Sequence, residues 1–265
     1  MSEPWSAPPP GRRGGIDPRT AIWIIAGVAL VIILVRSHKF HTYQALMLLA
    51  LIPSVILHEV SHGAVAYAFG DDTAKRAGRL TLNPVSHVDP FGTIILPALM
   101  SLTGFGLIGY AKPVPVNPSR LRSPRNQGVL VSLVGPGVNI VLAAAFGFAF
   151  VRGVSAADRA LVFNGTGPIW AQLLFWAGYI NILLAAFNLI PLPPLDGSAV
   201  VERLLPASAL PSYYRIRPYT MLILLGLVLL IPGFLGRILS PVLDWWVTLM
   251  AHGIPQLQNG GPGFS

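Results

Sequence analysis

Cysteine is absent from the 265 residues, and charge is scarce: Asp, Glu, Lys and Arg together make up 11% of the chain. The first absence excludes disulfides and thiolate metal sites. The second excludes an ordinary soluble domain, in which roughly a quarter of the residues are charged. Nor is there an internal repeat, or a loop long enough to hold a separate folded domain. What fills the chain instead is apolar, 53% of it, with a mean hydropathy of +0.64. This composition defines an all-α polytopic membrane protein. The net charge of +8 is carried by residues lying between apolar runs. No nucleic-acid-binding motif accompanies them, so they read as cytoplasmic loops under the positive-inside bias and no nucleic acid partner is expected.

Residues 1–20 are rich in Pro, Gly and Ser and read as a disordered tail, and 252–265 as a second tail, leaving a single membrane domain over 21–251. The apolar runs are 21–35, 42–70, 91–110, 128–151, 169–190 and 219–235, most of them near the roughly 20 residues that cross a bilayer. The first has basic residues before it but no small-residue cleavage site after it, so it reads as an uncleaved span. "RILSPVLDWWVTLM" (237–250) sets Asp244 beside two tryptophans and reads as an interfacial helix. Five to six spans are expected.

The run 91–110 contains Pro97 and four glycines. If it dips in and returns, with the N-terminus cytoplasmic, thirteen Lys and Arg lie inside and five outside; if it crosses, the split is nine to nine. Only the re-entrant arrangement obeys the positive-inside bias. It also places the ends of the 42–70 and 169–190 helices on one side, the cytoplasmic one. "RLTLN" (79–83) alternates apolar and polar residues, which predicts a small β-hairpin there. Its edge is open to pairing with an extended peptide, or the hairpin simply caps the site.

Inside the second run stands "HEVSH", 58–62. Ionisable side chains at membrane depth are costly and seldom idle. Helical positions i and i+4 share a face, so His58 and His62 can offer nitrogens to one metal ion. Glu59, about 100° around the helix, can reach a water on that metal without ligating it. This is the H-E-x-x-H arrangement of zinc proteases, with two ligands and a general base. A catalytic zinc takes three protein ligands. Most of the remaining acidic residues lie in tails or loops. Asp196 differs: it ends "NLIPLPPLDG" (188–197), directly after an apolar span. Prolines at 191, 193 and 194 cannot continue a helix and would deliver it on extended backbone. His62 is eight residues from Gly70, about 12 Å inside the helix end at 1.5 Å per residue, where Asp196 can meet it.

With "HEVSH", "GPGVN" (135–139) and "NLIPLPPLDG" in place, the chain resembles the site-2 family of intramembrane metalloproteases. "GRLTLNPVSHVDPFGT" (78–93) and "AKPVPVNP" (111–118) are similar to its compact bacterial branch, and the resemblance spans roughly 21–235. It implies one Zn2+ per chain held by His58, His62 and Asp196, with Glu59 as catalytic base. It implies substrates that are transmembrane segments in the lipid bilayer, often of membrane-tethered transcription regulators or anti-sigma factors, and a multi-pass protein of the bacterial plasma membrane. The PDZ and CBS domains that many relatives carry have no counterpart here: 152–168 is too short for one.

Two further polar residues, Asn139 and Asn188, lie in apolar spans. They are read either as interhelical hydrogen-bond glue or as contacts to the substrate backbone, and the resemblance favours the second for at least one of them. His87 and Asp89 read as turn-ordering residues, and Pro53 as a kink. A competing reading is a metal-ion or proton-coupled transporter using the same buried His, Glu and Asp. Related halves of the kind common in transporters are not visible. A non-catalytic scaffold is a third reading, but it has no use for Glu59.

Overall fold

The computed structural model describes residues 41–87, 112–231 and 233–254. The expected first span, the 91–110 segment, Asp89 and both tails' outer parts lie outside them. Eight α-helices are seen among the described residues. They are α1 (Thr42–Ala68), α2 (Thr73–Arg76), α3 (Pro124–Gly153), α4 (Ala156–Phe163), α5 (Ile169–Asn188), α6 (Ser198–Leu204), α7 (Leu210–Leu230) and α8 (Phe234–Ala251). Pro84–Ser86 and Pro118–Arg120 form 3-10 turns.

Three of these helices, α1, α3 and α5, are long and apolar enough to cross a membrane, and they pack against one another as a triad. Ala50, early in α1, meets Phe146, late in α3, and Ala177 and Ile180 in α5. Ala66, at the other end of α1, meets Val131, early in α3. So α3 runs against α1 and α5. The outward surface keeps large apolar side chains such as Leu49, Val141 and Phe148, the last 69% exposed. That suits contact with lipid, which solvates an apolar exterior.

The expected span at 219–235 starts earlier than its apolar run. Its helix, α7, begins at Leu210 and carries Arg215 and Arg217 in its first half, so only its second half is continuously apolar. The expected interfacial helix is α8, and it is amphipathic. Leu239, Trp246, Val247 and Met250 are buried, while Trp245 and Leu249 on the opposite side are exposed. Its buried face joins Phe150, Val154, Val162, Ala171 and Phe175 in the main core cluster, at the far end of the triad from "HEVSH". Gly178 has no side chain because Trp246 fills the space: a Cβ there would come 3.0 Å from Trp246 Cη2.

No strand is seen among the described residues, and "RLTLN" does not form the expected hairpin arm. The reason is local. Gly78 turns the chain at φ 65°. The Thr81 carbonyl, needed for a ladder, is taken by His87 Nε2 at 2.8 Å. Asn83 then caps Val85 N–H, starting a 3-10 turn with Pro84 at its first position. His87 thus orders a turn, as the sequence suggested.

Candidate metal centre

The helix α1 carries His58 and His62 on its buried face, with ring centroids 4.8 Å apart. The ladder of α1 ends at Gly70, whose φ of 108° is closed to residues with a Cβ. Asp196 arrives from α5 on a tight loop. Gly197 N–H closes it by bonding the Asn188 carbonyl at 2.7 Å. A Cβ on Gly197 would sit 2.6 Å from the Leu189 carbonyl carbon, so the loop can close only on glycine.

The result is a convergence. Asp196 Oδ2 lies 3.0 Å from His58 Nε2 and 3.4 Å from His62 Nε2. One donor atom from each of the three residues falls within 4.8 Å of the others. What each imidazole's other nitrogen does fixes the chemistry. His62 Nδ1 donates to the Val131 carbonyl at 2.6 Å. His58 Nδ1 meets Asn139 Oδ1 at 2.6 Å. Asn139 Nδ2 donates to Asn181 Oδ1, and Asn181 Nδ2 donates to Ser54 Oγ and to the Ala177 carbonyl, each at 2.8 Å. Ser54 Oγ–H donates to the Ala50 carbonyl at 2.7 Å.

This chain has one consistent direction. Ala50 offers only an acceptor, so Ser54 donates to it and accepts from Asn181. Each amide is thereby oriented, and His58 must hold its proton on Nδ1. With Nδ1 so engaged, each histidine turns its Nε2 toward the Asp196 carboxylate. Such a cluster of two imidazole nitrogens and a carboxylate oxygen is satisfied by a shared proton or by a cation held among them. Two imidazoles and a carboxylate are a zinc donor set, so these residues fit a zinc ion. Gly135 gives them room: a Cβ there would lie 2.5 Å from His62 Nε2 and 2.7 Å from His58 Cε1.

Glu59 stands aside from the three and lines the same cleft, a cavity of about 410 Å3. Its Oε2 accepts the Val114 N–H at 2.8 Å. Val114 belongs to the segment 112–117, where Pro113 and Pro115 have no N–H to give. The segment is pinned by Asp71, fully buried, whose Oδ2 takes Asn117 N–H at 2.6 Å and whose Oδ1 takes the Thr73 N–H at 3.0 Å and the Thr73 hydroxyl. Burial pushes the Asp71 carboxyl up, but these hydrogen bonds outweigh it and hold the group below its ordinary value.

The two asparagines singled out from the sequence separate here. Asn139 is fully buried with its amide engaged at both ends, on His58 and on α5. Asn188 lines the cleft, its Nδ2 bonded to the Leu184 carbonyl at 3.0 Å. Asn181, Ser54 and the Val114 N–H were not anticipated. Asn181 had a signal, as an amide in the middle of an apolar span.

A His, His, Asp cluster on and beside an apolar helix, with a glutamate next to it, suits a metalloprotease, and the chain is similar to proteins of that class. The model of "Peptidase family M50" matches residues 46–231, and the chain belongs to that family, the site-2 protease family. Its relatives include the Bacillus subtilis protein named "Putative zinc metalloprotease YwhC", 40% identical over 75% of this chain and 85% of that one. "Putative zinc metalloprotease Rip2" of Mycolicibacterium smegmatis is 30% identical over 67% of this chain and 65% of its own length. "Putative zinc metalloprotease MJ0611" of Methanocaldococcus jannaschii is 28% identical over 58% and 68%. No solved structure matches.

Proposed function

We propose that this metallopeptidase hydrolyses peptide bonds within or beside transmembrane segments of membrane-anchored proteins, with one zinc held by His58, His62 and Asp196. The observation that carries the reading is the convergence of three donor atoms, with Glu59 in the same cleft of an apolar helical triad. Membership in a peptidase family favours this over the transporter and scaffold readings.

When bound, the zinc supplies Lewis acidity, lowering the pKa of a coordinated water and polarising the scissile carbonyl. Glu59 accepts the water's proton on its carboxylate and returns it to the leaving amine nitrogen. Val114 N–H holds one Glu59 oxygen, so the other is free to face the water. Asn139 and Val131 keep both imidazoles in the Nδ1–H form, so Nε2 stays available. A substrate helix hides its carbonyls in its own hydrogen bonds and must unwind locally. Segments with Gly, Pro or Asn near the cut are therefore favoured, and Asn188 on the cleft wall is placed to bond an unwound backbone. A membrane-tethered regulator of transcription or an anti-sigma factor is the substrate type that the family points to.

The site end of the triad is assigned to the cytoplasm. Among the described residues flanking the triad's ends, Lys75, Arg76, Arg79, Lys112, Arg120, Arg122, Arg125, Arg203, Arg215 and Arg217 lie at the site end, against Arg152, Arg159 and Arg237 at the other.

The test is a matched pair, wild type and Glu59→Gln, assayed for zinc content and for cleavage of a model transmembrane helix. Both should hold about one zinc per chain, by the three-ligand logic above, and only wild type should cut. Cleavage by the Gln variant at the wild-type rate would remove Glu59 from the chemistry.

A further inference from the structure

The mouth of the cleft is built from α3, α6 and α7, and three of its lining residues are exposed arginines: Arg125, Arg203 and Arg217. Their partners are few. Arg125 Nη2 donates to the Arg203 and Leu205 carbonyls at 3.3 and 3.0 Å, closing the end of α6. Arg203 Nε donates to Asn126 Oδ1 at 2.8 Å. Both partnerships are with neutral acceptors, and neither arginine meets a carboxylate among the described residues. Arg217 alone faces a carboxylate, Glu202, at 3.6 Å, and Glu202 is also bonded by the Tyr214 hydroxyl.

Among the described residues, three guanidinium groups against one carboxylate leave the mouth at +2. Deeper in, a divalent ion held by His58, His62 and Asp196 would be balanced by the Asp196 and Glu59 carboxylates. The cationic field therefore belongs to the entrance, not to the metal. This matters because the positive-inside bias gives most transmembrane segments Lys and Arg on their cytoplasmic flank. A segment entering this cleft with such a flank would bring like charges together at the mouth, which is a recognised device for rejecting wrong partners.

We propose that the arginines at the mouth select substrates by flank charge, accepting membrane segments with Asp or Glu just beyond the scissile region and rejecting those with Lys or Arg. The proposal rests on the protease reading of the cleft and on its cytoplasmic orientation.

The experiment uses the full chain with zinc in uncharged detergent micelles. Three model helices share one transmembrane segment and differ only in a two-residue flank: Asp-Asp, Gly-Gly or Lys-Lys. The readout is the ratio of kcat/KM between acidic and basic flanks, which is insensitive to the fraction of folded enzyme. Wild type should prefer the acidic flank about tenfold at low salt, with the preference shrinking as salt screens the charges. Arg203→Gln with Arg217→Gln should bring the ratio close to unity. Arg203→Lys with Arg217→Lys should keep most of it, since the charge and not the fork geometry selects. A ratio near unity in wild type, or one that survives the Gln pair, overturns the proposal while leaving the protease reading intact. So does a Lys pair that loses the ratio as the Gln pair does, or a ratio set only by added phosphatidylglycerol, which would make these arginines headgroup anchors. Cleavage of none of the helices overturns both.

Discussion

Asn139 shows how one residue's part is set by a line of others. Its amide links a metal-facing imidazole to a hydrogen-bond chain through Asn181 and Ser54 that ends on the Ala50 carbonyl. All four side chains are buried, three on separate helices of the triad, where an unpaired polar group costs about 1–3 kcal/mol. Asn139→Leu should therefore leave His58 free to swing and to change tautomer. Zinc affinity, measured by chelator competition, is expected to fall about 10–100-fold, the usual cost of losing the partner that orients a ligand. Asn188→Leu, whose amide bonds only its own helix, should leave zinc affinity near wild type and weaken substrate use instead. Equal zinc loss in both variants would deny Asn139 its special place. The HEVSH spacing made the two histidines and Glu59 legible because helix geometry alone fixes who shares a face. The Asn139–Asn181–Ser54 line was not legible. Which polar residues meet across helices depends on how each helix is rotated, and apolar runs that are hydrophobic all round carry no such phase.

Two loops do the positioning, and they differ in how openly the sequence declares them. "NLIPLPPLDG" announced itself through prolines that forbid helix, while the closure of the loop on Gly197 is seen only in the structure. Here Gly197→Ala is the sharp test, because its Cβ would meet the Leu189 carbonyl, backbone against backbone. Asp196 should be displaced and zinc content should fall well below one per chain. The helical signal of the triad should be retained, so loss of zinc with full helicity is the expected pair of observations. The segment 112–117 was read only as part of a resemblance, since a backbone N–H has no signature in side-chain pattern. Its anchor is Asp71, whose folded-state carboxyl lies below its unfolded value of about 4. The stability it lends is thus fully present above that unfolded value and is lost as pH falls through the folded one. Thermal melts of wild type should drop over that acid range, and Asp71→Asn should be weaker at neutral pH and flatter in acid. The "RLTLN" alternation misled for the opposite reason. Five alternating residues suffice to suggest a strand, yet a histidine six positions on captured the carbonyl that a ladder would need.

At the scale of the molecule, the triad has two ends of different character. The far end is sealed by α8, with Trp246 seated against Gly147 and Gly178 and the buried Arg159 bonding the Met250 and His252 carbonyls at 3.2 and 3.1 Å. The site end is open and basic, and the ends of α3, α6 and α7 line its mouth together with the 112–117 and 188–197 loops. Apolar length made the triad legible in the sequence, and the pairing of two tryptophans with Asp244 set α8 apart from the apolar runs as an amphipathic helix. The half-charged α7 was misjudged in its start because a hydropathy run shows where a helix is apolar, not where it begins. The assigned orientation makes the basic end cytoplasmic, and the absence of cysteine gives a clean way to test it. Ser208, in the exposed turn between α6 and α7, marks the site end, and Thr166, in the exposed turn before α5, marks the other. In intact cells a membrane-impermeant thiol reagent should label Thr166→Cys and spare Ser208→Cys until the membrane is permeabilised. The reverse pattern would put the arginine-lined mouth outside. The positive-inside count would then fail as a guide to this chain, and the cut would release substrate outward, where no transcription regulator could act on it.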